Sequence, residues 1–267
     1  MAARLGDVDE ESPARLAETT RLAAVARLAE VTEAAGGSSA ALAAAAARAR
    51  DDPGACAVVL VEGMSDQAAL ETLAARSGRD LRAEGVFVVP MGGATNIGHF
   101  LGLFGPRGFG VRLAGLCDEG EERDFRRGLE RAGLAAGLPP PGPLDLDRAG
   151  SLGLPPPGSL GLDRAGSLAP LDLAGLGFFV CVADLEDELI RSLGVRRVEQ
   201  LIEAEGELGP FQTFTRQPAQ RDRTRQQQLH RFLGTRSGRK IHYGHVLAAA
   251  LDLTRVPGPL AGVLSRV

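Results

Sequence analysis

From Ala57 onward the chain alternates short, nearly continuous apolar runs with amphipathic stretches. The runs cover 57–61, 86–89, 111–116 and 178–183. A run this short, without polar alternation, is what a parallel strand buried on both faces requires. Between the first two runs, 65–76 has helical spacing, with Ser65 placed as an N-cap and Gly78 just past the end. Further helices are predicted over 96–104 and 121–131. Alternating β and α of this kind predicts an α/β fold, a doubly wound, mainly parallel sheet of about four strands flanked by helices.

The flanks follow the helical period. Residues 13–50 are alanine-rich, with Leu16, Leu22, Val25, Leu28 and Val31 at helical spacing and a break at Gly36-Gly37-Ser38-Ser39. They predict two helices that serve packing or dimerisation and carry no chemistry. Past Leu185, helices are expected over 188–193, 197–205, 224–233 and 241–253. The third and fourth strands are separated by a tandem repeat over 138–169, LPPPGPLDLDRAGSLG then LPPPGSLGLDRAGSLA, with a period of sixteen residues. Two copies are too few for a solenoid, and the Pro, Gly and Ser content predicts a flexible insertion without a catalytic role. The expected organisation is an N-terminal helical segment (1–50), an α/β domain (55–195) and a C-terminal basic helical extension (196–267).

Composition narrows the functional classes. With 30 basic against 34 acidic residues, the net charge of −4 argues against a protein that coats nucleic acid through overall charge. Positive charge is instead local. Arg216, Arg221, Arg223, Arg225, Arg231, Arg236, Arg239 and Lys240 cluster against a single acid, Asp222. All but one of the thirty bases are arginine, Lys240 being the exception. No apolar run reaches the roughly eighteen residues of a membrane span, and Met1 to Glu11 offers acids instead of a basic leader, so a cytoplasmic location without membrane attachment is expected. Cys56, Cys117 and Cys181 lack the spacing of a zinc site or disulfide framework and read as reduced, buried thiols. His99, His230, His242 and His245 form no ligand pattern.

Three apolar runs end in an acid: VVLVEG at Glu62, LAGLCDEGEE at Asp118 and FFVCVADLEDE at Asp184. The carboxyl ends of parallel strands share one edge, where such folds place ligands. Asp66, one helical turn past Glu62, and Glu186, just past Asp184, project toward the same edge. Carboxylates crowded this way raise one another's pKa unless a cation neutralises them, and oxygen donors favour Mg²⁺ or Mn²⁺. Gly92 and Gly93, after the second run, would let backbone approach a phosphate.

These residues resemble the Toprim domain over roughly 57–193. The first motif is a strand followed by Glu-Gly and a later acid, here Glu62-Gly63-Met64-Ser65-Asp66; the second is the glycine after the next strand, here Gly92-Gly93. Among Toprim branches the chain looks most similar to the Toprim domain of the OLD (overcoming lysogenization defect) nucleases, through EGMSD, the segment Gly92-Gly93-Ala94-Thr95-Asn96-Ile97, and Asp184-Leu185-Glu186-Asp187-Glu188-Leu189. The resemblance implies a metal-dependent phosphoryl-transfer enzyme, most simply an endonuclease cleaving DNA phosphodiester bonds. Glu62, Asp118 and Asp184 would hold one metal, while Asp66 and Glu186 would help hold a second or orient water. Lys240 would match the lysine that counters charge on the reacting phosphate, and Arg216 and Arg239 would contact nucleic acid, DNA ahead of RNA. The Toprim pattern usually carries Asp-x-Asp after the third strand. Here Asp118 is followed by Glu119 and Gly120, leaving Glu119 and Glu121 as candidates to replace the second acid. No GxxxxGK[ST] occurs, so the expectation is a Toprim protein without its own ATPase, which could borrow one from a partner, and a homodimer is allowed. A non-catalytic Toprim module that binds nucleic acid or a nucleotide, and a hydrolase of a small nucleotide, are the alternative readings. The sole tyrosine, Tyr243, sits in an amphipathic stretch and does not support a topoisomerase.

Overall fold

The computed structural model describes residues 13–34, 36–134 and 171–267; the tandem repeat and the acidic N-terminus lie outside them. Four strands, β1 (Ala57–Val61), β2 (Val86–Pro90), β3 (Arg112–Asp118) and β4 (Phe178–Cys181), form one sheet in the order β2-β1-β3-β4. Every pairing is parallel, with Ala57 opposite Val86 and Arg112, and Gly115 opposite Phe178. All five residues of β1 are buried, as expected of a central strand that packs on both faces.

Alternation along β1 feeds two cores. Ala57, Val59 and Val61 join Leu70, Leu73, Leu189, Tyr243 and Leu247 on one face; Val58 and Leu60 join Leu42, Phe100, Phe104 and Phe125 on the other. The first face is covered by α3 (Met64–Arg76), α6 (Leu185–Leu193) and α10 (Ser237–Ala250), the second by α2 (Ser39–Asp51), α4 (Ile97–Phe104) and α5 (Glu122–Ala132). The sheet is therefore doubly wound. The remaining helices are α1 (Pro13–Ala34), α7 (Val195–Ala204), α8 (Leu208–Thr215), α9 (Arg225–Leu233) and α11 (Gly258–Arg266).

Two differences from the pattern-based expectation bear on function. β3 extends two residues beyond the apolar run, so Asp118 is its last residue. The C-terminal helices also do more than extend the domain. α10 lies along α3, with Tyr243 and Leu247 fully buried. α11, hidden in the sequence by the breaker-rich Pro257-Gly258-Pro259, packs on β3 and β4. Gly262 permits that approach, because a Cβ there would collide with the Phe179 ring. α10 thus brings its start, with Lys240, to the edge where the strands end.

Candidate metal centre

Glu62 follows the last residue of β1. Its backbone oxygen accepts from both Gly92 N and Gly93 N, at 3.0 and 3.1 Å. The two glycines adopt φ of +72° and +121°, backbone that L-residues rarely take. Their amides are therefore spent on fixing the Glu62 backbone. Asp66 turns back over the start of α3, where its Oδ2 accepts from Gly63 N at 2.8 Å. Asp118 ends β3 and opens a single 3-10 turn, Glu119–Glu121, which swings Glu121 round to the sheet edge.

The result is a convergence of three carboxylates. One oxygen each from Glu62, Asp118 and Glu121 lies within 4.8 Å of the others. Glu121 Oε2 is buried with no hydrogen-bond partner, and so is Glu186 Oε1 close by. The carboxyl groups bear the strain electrostatically. Burial, then the neighbouring Asp66, Glu62 and Asp184, pushes Asp118 up to about 8. Burial and the adjacent Glu62 push Glu121 up to about 7. Asp66, only 7% exposed, also rises to about 7, first from burial and then from Glu186. Like charges held together in a partly dry site, with an orphaned acceptor among them, fit a hard divalent cation.

The acids beyond β4 are held differently. Asp184 caps α6, its Oδ1 accepting from Asp187 N at 2.8 Å, and its Oδ2 lies 2.5 Å from His230 Nε2. Burial would raise the Asp184 pKa, but the His230 contact, the Asp187 amide and Lys240 together turn the net shift downward; His230 is raised by its contact with Asp184. Glu186, 1% exposed, lies 3.2 Å from Lys240 Nζ. Its pKa is raised by burial, which Lys240 opposes. Burial works against the Lys240 ammonium, yet Glu186, Asp66 and Glu62 together raise its pKa. Immediately before Asp184, Ala183 adopts φ +66°, the one non-glycine among the described residues in the left-handed region. Such strain at the end of a strand is typical of functional edges.

The expected site residues thus separate. Glu62, Asp118, Asp66, Glu186 and Lys240 share one edge, but the oxygens that converge are those of Glu62, Asp118 and Glu121, with Asp184 committed to His230. Of the two candidates for the missing acid, Glu121 joins the cluster, while Glu119 Oε2 lies 3.5 Å from the Ala183 amide. Arg239 is bound bidentately by Glu207 and lies 4.2 Å from the Phe232 ring centroid, so it braces α8 to α10. Arg216 is exposed. His230, set aside on sequence, is 46 residues from its partner, and no local pattern announces it. A cleft of about 270 Å³ opens beside the cluster, on the Glu62 side; it is lined by Glu62, Asp66, Gly92, Gly93, Lys240 and, unexpectedly, Gly36 and Gly37, and not by Asp118 or Glu121.

A parallel α/β sheet with acids at the ends of β1 and β3 and after β4 is a Toprim-type fold. Residues 55–119 match the family model described as the overcoming lysogenization defect protein-like TOPRIM domain. Among solved structures, the C-terminal region of the Burkholderia pseudomallei OLD protein is similar at 18% identity, covering 79% of this chain and 95% of that one, with a TM-score of 0.53. The C-terminal region of the Xanthomonas campestris pv. campestris OLD protein is similar at 21% identity, covering 79% and 93%, with a TM-score of 0.50. No curated protein matches the chain. The chain carries a Toprim domain resembling that of OLD proteins. No helix among the described residues is long and apolar enough to cross a membrane.

Proposed function

We propose that this protein is a metal-dependent nuclease that cleaves DNA phosphodiester bonds. The convergence of Glu62, Asp118 and Glu121 carries the reading, because three carboxylates in a partly buried cluster repel one another unless they hold protons or a cation neutralises them. Those three would hold one Mg²⁺ or Mn²⁺, with Asp66 and the orphaned oxygen of Glu186 available to a second. A bound ion of this kind supplies an activated water and neutralises charge on phosphate oxygens.

The chain's own residues would do the rest. Gly92 and Gly93 lock the backbone that presents Glu62. Lys240, steadied by Glu186, sets a compact positive charge beside the carboxylates, where charge builds on the phosphate as it is attacked. The Asp184–His230 contact ties α9 to the strand edge and so keeps the C-terminal helices over the cleft. Arg216, Arg221, Arg231 and Arg236, all exposed, would supply contacts to the nucleic-acid backbone. The same reading places the protein in the cytoplasm, and the resemblance to C-terminal regions of OLD proteins leaves room for an ATPase partner and for a homodimer.

The test is nicking of supercoiled plasmid by purified protein with Mg²⁺ or Mn²⁺, beside Glu62→Ala. Metal-dependent nicking that vanishes in the variant supports the reading. Cleavage that survives in the variant, or no cleavage with either metal, contradicts it; in the second case intact metal and DNA binding would point to a non-catalytic module.

A further inference from the structure

The turn between α1 and α2 belongs to the catalytic cleft. Gly36 and Gly37 line the same cavity as Glu62, Asp66, Gly92, Gly93 and Lys240, although nothing in the alanine-rich N-terminal segment suggests chemistry. The turn is tightly seated. Gly37 N donates to Thr32 O at 2.5 Å, and a Cβ on Gly37 would collide with Thr32 Cγ2 and lie 3.1 Å from Pro90 O at the end of β2. Ser38 Oγ then caps α2 by accepting from Ala41 N at 3.2 Å. Gly36 adopts φ +79° and faces open space, with no atom within 4 Å of where its Cβ would be. One side of the cleft is thus walled by backbone pinned to β2, and the other by the start of α10, which carries Lys240.

Between those walls Asp66 is recessed, at 7% exposure, and Glu62 is half-buried. The cavity of about 270 Å³ lies just below the roughly 300–1,000 Å³ of ordinary small-molecule sites. That is room for a phosphate and its sugar. Duplex DNA is stiff over about 50 nm and resists folding one phosphate inward, whereas an unpaired strand bends freely. Resting on the nuclease reading above, we infer that the Gly36-Gly37 turn is the outer wall of a slot that takes single-stranded or frayed nucleic acid in preference to intact duplex.

The experiment is fluorescence anisotropy with a fluorescein-labelled oligonucleotide, single-stranded or annealed to its complement, in Ca²⁺ so that binding is read independently of turnover. The full chain is compared with Gly36→Asn and Gly36→Asp, which are nearly isosteric and both tolerate left-handed backbone. The inference expects single strand to bind roughly tenfold more tightly than duplex. It also expects Asp to weaken single-strand binding more than Asn, with the gap closing at high salt as charge is screened. Equal binding of the two forms by the unaltered protein overturns this inference and leaves the nuclease reading standing. Equal effects of Asn and Asp at every salt concentration overturn the wall, because a merely structural turn would respond to size and not to charge. Binding of neither form overturns both readings.

Discussion

Glu62, Asp118 and Glu121 crowd together, and none makes an ion pair among the described residues, whereas Asp184 and Glu186, just beyond the neighbouring strand, each face a basic side chain supplied by α9 or α10. The first set shows what a vacant charge requirement looks like: Asp118 and Glu121 are each pushed toward neutrality by burial and by the nearby Glu62 and Asp66. The second shows what internal neutralisation looks like, with the Asp184 carboxyl held below its ordinary range. An acid that a protein has already paired is a support; an acid left facing other acids is a candidate ligand. On the proposed reading, the Glu62–Asp118–Glu121 metal belongs to the β1–β3 side of the edge, and the Asp184–His230 pair on the β4 side is a support.

The sharpest way to break the comparison is to remove acids from the first set. Glu62→Ala or Asp118→Asn should reduce metal-dependent cleavage by about 10³-fold or more, read as single-turnover rates, because both metal binding and the activated water are lost. Lys240→Met should lower the cleavage rate by about 10²–10³-fold, in line with loss of one electrostatic donor. It should also destabilise the fold by on the order of 2 kcal/mol in a denaturant titration, since Glu186 is left buried without its partner. That figure is kept below the fully buried case because Lys240 is 38% exposed.

Stability against pH separates the two sets next. Asp66, Asp118 and Glu121 titrate near 7, 8 and 7 when folded, above the roughly 4 of an unfolded carboxyl. The unfolded chain releases these protons first, so metal-free stability should fall as pH rises from about 4 to about 8. Adding Mn²⁺ at neutral pH should reverse that fall, by about 2.7 kcal/mol at a hundredfold excess over the dissociation constant. In the Asp184–His230 pair the two partners respond in opposite senses. The lowered Asp184 contributes stability above the unfolded pKa of about 4, lost as pH drops through its folded value. The raised His230 contributes below about 6.5, lost as pH climbs through its folded value. His230→Ala should therefore cost about 1 kcal/mol, chiefly between about pH 4 and 6.5, and calorimetric melts across that range would show it.

The sheet was legible because its strands are mostly buried on both faces, which leaves nearly continuous apolar runs. The acids at its ends were legible because parallel strands finish at one edge. Glu121 was reachable only as one of two candidates, since a 3-10 turn too short to leave a periodic signal decides that it, and not Glu119, faces Glu62. The role of His230, the Glu207 contact of Arg239 and the place of the Gly36-Gly37 break beside the cleft were not legible. Each takes its meaning from a partner far along the chain: Asp184, Glu207 and Phe232, and Pro90. The Gly92-Gly93 pair was visible as a backbone feature, but only the structure reveals that its amides point at the Glu62 carbonyl.

The most direct test of the division between the two sets is calorimetric titration of Mn²⁺ into the unaltered protein, Glu121→Gln and Asp184→Asn. The account predicts that Glu121→Gln weakens or abolishes metal binding while Asp184→Asn retains it. Loss of binding in Asp184→Asn together with unchanged binding in Glu121→Gln would contradict it and move the metal to the β4 side of the edge.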